Sequence, residues 1–275
     1  MAIPDEIKSN RGAGFPAPGN RLGSAVQMNF IRRMGAHLPL TRRSAQGRVP
    51  DPQLPALLSS SLPEVFAARL ASMYAREAQL GEAGAEYPLD GVTQVSIEQG
   101  LWLHQLCLKV RPKKTLEIGL GYGFSTLYFL AAIFQNKVGH HTAVDPSQSS
   151  WHGVGLANVG RVGMESSFRF INDRSFPAFI DLGRASEAFE IIFIDGSHKF
   201  DDVLVDFTLA SNLCPQDGYV VLDDMWMPSI RKAVAFLRSN RTDFLSVETP
   251  VPNIAMFQRV APDARPWDHF QDFIQ

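Results

Sequence analysis

The sequence predicts an α/β fold, a doubly wound and mostly parallel seven-stranded sheet behind a helical N-terminal cap. Three observations lead there. From Lys114 onward, short apolar runs alternate with helical segments, the pattern of strands joined by crossover helices. The first run, residues 115–118, leads into Gly119, Gly121 and Gly123, and a helix follows at once. Each of the first five strands ends at or near an acidic residue. Ligands of open α/β sheets bind outside the carboxyl ends of the strands, where those acids would gather.

A chain of 275 residues suits one such domain with an extension. Hydrophobic residues at 45% and charged residues at 20% are ordinary for a soluble globular protein. A net charge of -2 gives no electrostatic case for nucleic acid or an anionic membrane as a partner. The longest apolar run, residues 127–134, is far too short to span a bilayer. Cys107 and Cys214 lie in apolar helical contexts without ligand spacing, as buried thiols of a reducing cytoplasm would.

Residues 1–55 read as a basic, poorly ordered arm. Arg11, Arg21, Arg32, Arg33, Arg42, Arg43, Arg48 and Lys8 face only Asp5 and Glu6 over the first fifty positions. No apolar stretch there makes a secretory signal, while an organelle transit peptide and a start further along at Met28 or Met34 share this composition. Residues 50–55 are a proline-rich linker.

Residues 56–110 form the helical cap. Helical spacing over 62–74 puts Val65, Phe66, Leu70 and Met73 on one side, with Ser61 as N-cap and Pro63 in the first turn. After a glycine-rich break, residues 95–108 read as a helix packing its Leu and Trp face on the sheet.

Residues 111–275 carry the sheet. Strands are predicted at 115–118, 141–144, 168–171, 190–194 and 219–222. The intervening helices fall at 125–134, 151–162, 176–182 and 200–213. A helix at 229–238 and two late strands, at 244–247 and 254–260, close the domain. His140 and His141 open the second strand, away from the carboxyl edge, and read as structural.

The glycine stretch is a nucleotide-type cradle, with a tight turn, backbone N–H groups open to a ligand and a helix dipole aimed at the same spot. A dinucleotide fingerprint needs G-x-G-x-x-G/A, but Phe124 or Thr126 occupies the last position in the two registers. The pattern that fits, acid-x-G-x-G-x-G from Glu117, resembles the first motif of class I S-adenosylmethionine-dependent methyltransferases. That resemblance implies that Gly119, Gly121, Gly123 and Ser125 pass close to the cofactor and that Glu117 helps orient its amino-acid end. Asp145, just over twenty residues on, has the chemistry to accept both ribose hydroxyls, a feature shared by NAD sites; capping before Pro146 is the other reading. Asp173 stands where the family meets the adenine ring.

The run Phe193-Ile194-Asp195-Gly196-Ser197-His198 and the run Val221-Leu222-Asp223-Asp224-Met225-Trp226 sit at adjacent strand ends. Carboxylates crowded there repel unless something positive lies between them, and oxygen ligands suit Mg²⁺. The arrangement resembles the metal-dependent O-methyltransferases, of the catechol and caffeoyl-CoA type and the bacterial macrolide-sugar type. It implies Mg²⁺ on Asp195, Asp223 and Asp224. Asp224 departs from the Asn usual in catechol-type enzymes. His198, three residues after Asp195, stands where those enzymes place a basic lysine and would serve as the base. The same acids could instead cap a helix (Asp195), face the sulfonium (Asp223) or face solvent (Asp224).

The reading is therefore an S-adenosylmethionine-dependent O-methyltransferase of a hydroxylated small molecule such as a sugar or natural product. It would be cytoplasmic, with the arm and cap available for pairing as a homo-oligomer. Two rivals share the fold: an NAD-dependent oxidoreductase, and a non-catalytic nucleotide-binding protein that would not need the acids.

Overall fold

The computed structural model describes residues 54–273. The basic arm therefore lies outside the described residues, except for Leu54 and Pro55. Those two open a helix, α1 (Leu54–Ser61), where a linker was expected. Ser61 thus ends one helix instead of capping the next, and α2 (Glu64–Tyr74) starts after Pro63 with no side-chain cap. Proline at that point supplies a preset φ without a donor that the helix start would leave unpaired. A two-stranded antiparallel ribbon follows, β1 (Gln79–Leu80) with β2 (Glu86–Tyr87). Two residues per strand are too short for the alternation that marks a strand in sequence.

Helix α3 (Ile97–Val110) opens on a capping box, with the Ser96 side chain accepting from the Gln99 N–H while Gln99 Oε1 accepts from the Ser96 N–H. Its Gly100 lies on Tyr128 of α4 (Phe124–Asn136), so close that a Cβ would fall 2.0 Å from the ring. That approach docks the cap on the domain. The other elements are β3 (Lys114–Ile118), β4 (His140–Val144), α5 (Val154–Arg161), β5 (Phe168–Ile171), α6 (Ser175–Arg184), β6 (Ile191–Ile194), α7 (Phe200–Leu213), β7 (Tyr219–Leu222), α8 (Pro228–Asn240), β8 (Phe244–Val247) and β9 (Ala255–Arg259). Turns occupy residues 147–153, so the helix predicted from 151 begins only at Val154, after a left-handed Gly153.

The seven strands run in the order β5-β4-β3-β6-β7-β9-β8. The first five are parallel, and β9 pairs antiparallel with both β7 and β8. Strand order reverses at β3, between β4 and β6, which is the crevice where such sheets bind ligands. Register brings the ends flush, with Ile118 opposite Val144 and Ile194, Val144 opposite Ile171, and Ile194 opposite Leu222. The residues just beyond form a single edge.

Alternation along the strands divides the core. Leu116, Ile118, Ile192, Ile194, Val220 and Leu222 face α6, α7 and α8, whereas Ile191, Phe193 and Val221 face α4 and the cap. Both cysteines are free and buried, and burial pushes each thiol up to about 12. No helix among the described residues is long and apolar enough to cross a membrane.

Candidate active site

The glycine loop leaves β3 at the reversal point. Gly119 has φ 98°, and a Cβ there would stand 2.2 Å from the Asp195 carbonyl oxygen, so glycine alone fits. Gly121 and Gly123 also have positive φ, and Gly123 is the N-cap of α4. The loop differs from a phosphate cradle in where its amides go. Gly119 N–H donates to Val144 O and Gly123 N–H to Leu120 O. Leu120 and Gly121 donate to Asp145 Oδ2 at 3.0 and 2.8 Å. Four amides of the loop are therefore taken by protein acceptors, which leaves the N–H groups at the start of α4 as the donors for a ligand.

Asp145, expected at a ribose, is 5% exposed and braces this loop. Its Oδ2 also accepts from Gln148 Nε2 at 3.3 Å, and its Oδ1 accepts from Ser147 N–H at 2.6 Å. Ser125 is buried in the first turn of α4, and Asp173 is exposed beyond β5, accepting from Arg174 N–H at 2.7 Å.

Glu117 is fully buried, one residue short of the end of β3. Its Oε2 accepts from the Thr126 hydroxyl and lies 3.1 Å from His141 Nε2, whose Nδ1 is 2.7 Å from Thr115 Oγ1. Glu117 Oε1 has no hydrogen-bond partner among the described residues. His141 and Thr126 went unrecognised as site residues in the sequence. A Glu flanked by Leu116 and Ile118 inside an apolar strand was the available signal that polar partners must be near.

On the far side of the loop, the structure brings Asp195, His198 and Asp224 together. One ligand atom from each falls within 4.8 Å of the other two. His198 Nε2 is 2.7 Å from Asp224 Oδ2 and 3.5 Å from Asp195 Oδ1. The two carboxylates push the imidazole up to about 10, so here it is the cation that balances them. Acting as a base would require release from that pair. Burial raises Asp195 to about 6, the imidazole opposes this, and Asp224 adds to it. Burial also pushes Asp224 up, but His198 outweighs it and holds that carboxyl below its ordinary value.

Asp223 does not join the cluster. It is 5% exposed, and its Oδ1 accepts from Gln99 Nε2 of the cap, from Asn253 Nδ2 at 2.9 Å and from the Asp224 N–H at 2.7 Å. Burial, then Asp195 and Asp224, raise its carboxyl well above the usual range. Asp224 adopts φ 61°, a left-handed conformation that Asp and Asn tolerate better than most residues. Trp226 Nε1 donates to Asp224 Oδ1 at 2.7 Å, whereas Met225 and Met227 pack on the core beneath α8.

Asn253, in the β8–β9 turn, contacts both acids and accepts from Trp226 N–H at 3.1 Å. Nothing in its local sequence singles it out. Gln99 was not singled out in the sequence either.

Residues 116–225 match the profile of a family described as a methyltransferase domain. A caffeoyl-CoA O-methyltransferase of Stellaria longipes is 28% identical over 135 residues, 45% of this chain and 55% of that protein. A flavonoid 3',5'-methyltransferase of Vitis vinifera is 25% identical over 143 residues, 50% of this chain and 59% of that protein. The chain thus spans about half the length of the curated relatives it matches. Among solved structures, the O-methyltransferase TomG of Streptomyces achromogenes, in complex with SAM and involved in tomaymycin synthesis, superimposes with TM-score 0.57. It is 19% identical, and the match covers 75% of this chain and 94% of that one. Likeness at that identity speaks for the fold.

Proposed function

We propose that this chain, which carries a methyltransferase domain on the class I fold, transfers a methyl group from S-adenosylmethionine to a hydroxyl of a small molecule, assisted by a divalent cation. One observation carries the reading. Gly119 is packed against the Asp195 carbonyl, so the donor loop and the acid cluster share one edge of the sheet. A methyl donor on the loop and a hydroxyl at the acids would then be neighbours, and alignment of donor and nucleophile is most of what a displacement asks of a protein. The names of the two plant relatives support the same class of reaction.

The donor set fits a cation. Two carboxylates and one imidazole converge, and among the described residues the imidazolium balances the acids. Asp195 and Asp224 would hold the ion, with His198 beside them, while Asp223 and Asn253 brace Asp224 from behind. A bound divalent ion would acidify a coordinated hydroxyl and neutralise the acids. S-adenosylmethionine, when bound, supplies a methyl group on a positively charged sulfonium. Glu117 and the loop would hold its amino-acid end. Asp145 keeps the loop in shape, a role that leaves its ribose contact to be tested directly. The glycine register, with Phe124 or Thr126 at the last position, weighs against the dinucleotide alternative.

Calorimetric titration with S-adenosylmethionine and with NAD tests the cofactor. The expected result is micromolar binding of the first and none of the second. Absence of S-adenosylmethionine binding, with and without Mg²⁺, overturns the reading. A separate Mg²⁺ or Mn²⁺ heat should vanish in Asp195→Asn with Asp224→Asn, and its absence in the unmutated chain removes the metal.

A further inference from the structure

We propose that His141 is a positioning residue for the cofactor, acting through Glu117 to present one carboxylate oxygen to an α-ammonium group. The inference rests on the S-adenosylmethionine reading and deepens it. Thr115, Glu117, Thr126 and His141 are each 0% exposed, in a layer otherwise filled by apolar side chains. Thr115 and His141 stand opposite one another in the β3–β4 register, and Glu117 lies two positions along the same face. The imidazole is clasped by rings, with Phe129 at 5.0 Å and an interplanar angle of 16°, and Phe168 at 6.0 Å and 26°. It can shift little.

The hydrogen-bond directions follow from chemistry. A carboxylate only accepts, so Nε2 must carry the hydrogen directed at Glu117 Oε2, and in a neutral imidazole Nδ1 then accepts from the Thr115 hydroxyl. Thr126, in the first turn of α4, donates to that same Oε2. Two elements, β4 and α4, thus converge on one oxygen and neither serves the other. Glu117 Oε1 is buried with no partner among the described residues, although buried polar atoms are nearly always paired. It stands two residues before Gly119, beside β6, whose end carries Asp195. An ammonium group of an amino-acid-like ligand is the chemistry that satisfies it, as a charge-assisted hydrogen bond.

The test compares S-adenosylhomocysteine with 5′-methylthioadenosine, which lacks the amino-acid end, by calorimetry on the full chain. The ratio of their two Kd values is the readout. Losing one well-oriented charged hydrogen bond corresponds to about a tenfold loss. His141→Phe, which keeps a ring between Phe129 and Phe168, should therefore weaken S-adenosylhomocysteine about tenfold and leave methylthioadenosine within about twofold. His141→Gln, which can still donate to Glu117, should recover part of that loss. Thr115→Val, nearly isosteric, should shift the ratio the same way by less, and it carries the test if the ring substitution fails to fold. An equal loss for both ligands in these variants, or no loss for either, overturns the proposal. A ratio unchanged by Glu117→Gln overturns it too, by removing the residue it acts through. Binding of neither ligand to the unmutated chain overturns the cofactor reading itself, a separate failure.

Discussion

The two sides of the sheet crevice are built on opposite principles. On the donor side, most polar groups are settled within the protein, with Glu117 Oε1 left open. Asp145 accepts from backbone N–H groups through both oxygens, the loop amides have acceptors, and Glu117 Oε2 has two donors. On the acid side, Asp195 and Asp224 share one imidazole, Asp195 and Asp223 are raised in pKa, and Asp224 is left-handed. The donor side is largely a preformed mould, with one buried carboxylate oxygen left for a ligand. The acid side holds unresolved repulsion, which a cation would relieve. Binding sites can therefore be organised either by satisfying groups in advance or by withholding satisfaction.

If the donor side is a mould, damage there should appear as lost stability. Gly119→Ala should have the largest effect, because its Cβ would enter the Asp195 carbonyl at 2.2 Å and φ is 98°. A loss of about 4 kcal/mol or more in denaturant unfolding is expected, with cofactor binding lost as well. Asp145→Ala comes next, since it strands the Leu120, Gly121 and Ser147 N–H groups. A cost of about 3 kcal/mol is expected from the same measurement. A loss below 1 kcal/mol in either variant would show that the loop is not held as described.

If the acid side is strained, trimming it should help the metal-free chain. Asp206 provides the scale for a buried acid away from the site. It lies in α7, 2% exposed, with Oδ2 unpartnered among the described residues. Burial raises its carboxyl to about 6, Ser175 opposes this and Asp202 adds to it. From about pH 4 to about pH 6 the folded chain keeps a proton that the unfolded chain has released, so this group's contribution to stability falls as pH rises. Asp206→Asn should therefore gain about 2 kcal/mol at pH 7.5 and nothing at pH 4, read from urea unfolding at both pH values. Asp195→Asn, at a partly exposed site, should gain about 1 kcal/mol in EDTA while removing metal binding. A loss of stability there would mean that the acids are paired and not strained.

Most of the fold was legible because the sheet repeats one simple pattern. An apolar strand, a helix and an acid at the strand end recur often enough that errors fall at boundaries, as at Val154, or in pieces as short as β1 and β2. The glycine loop and the acids were likewise legible, since their residue types are unusual for their positions. Their contacts were not. Asp145 turning to the loop, Gln99 reaching Asp223 across 124 positions and Asn253 crossing from a turn all depend on distant segments meeting.

The sequence by itself determined the succession of strands and helices along the chain, the glycine turn and which residues reach the carboxyl edge. Local periodicity and φ preference are properties of neighbouring residues. Only the tertiary structure decided which acids share a proton-bearing imidazole, which one faces the cap, and that Glu117 rests on His141. Those outcomes follow from register and packing, which bring together side chains whose separation in sequence carries no signal of their contact.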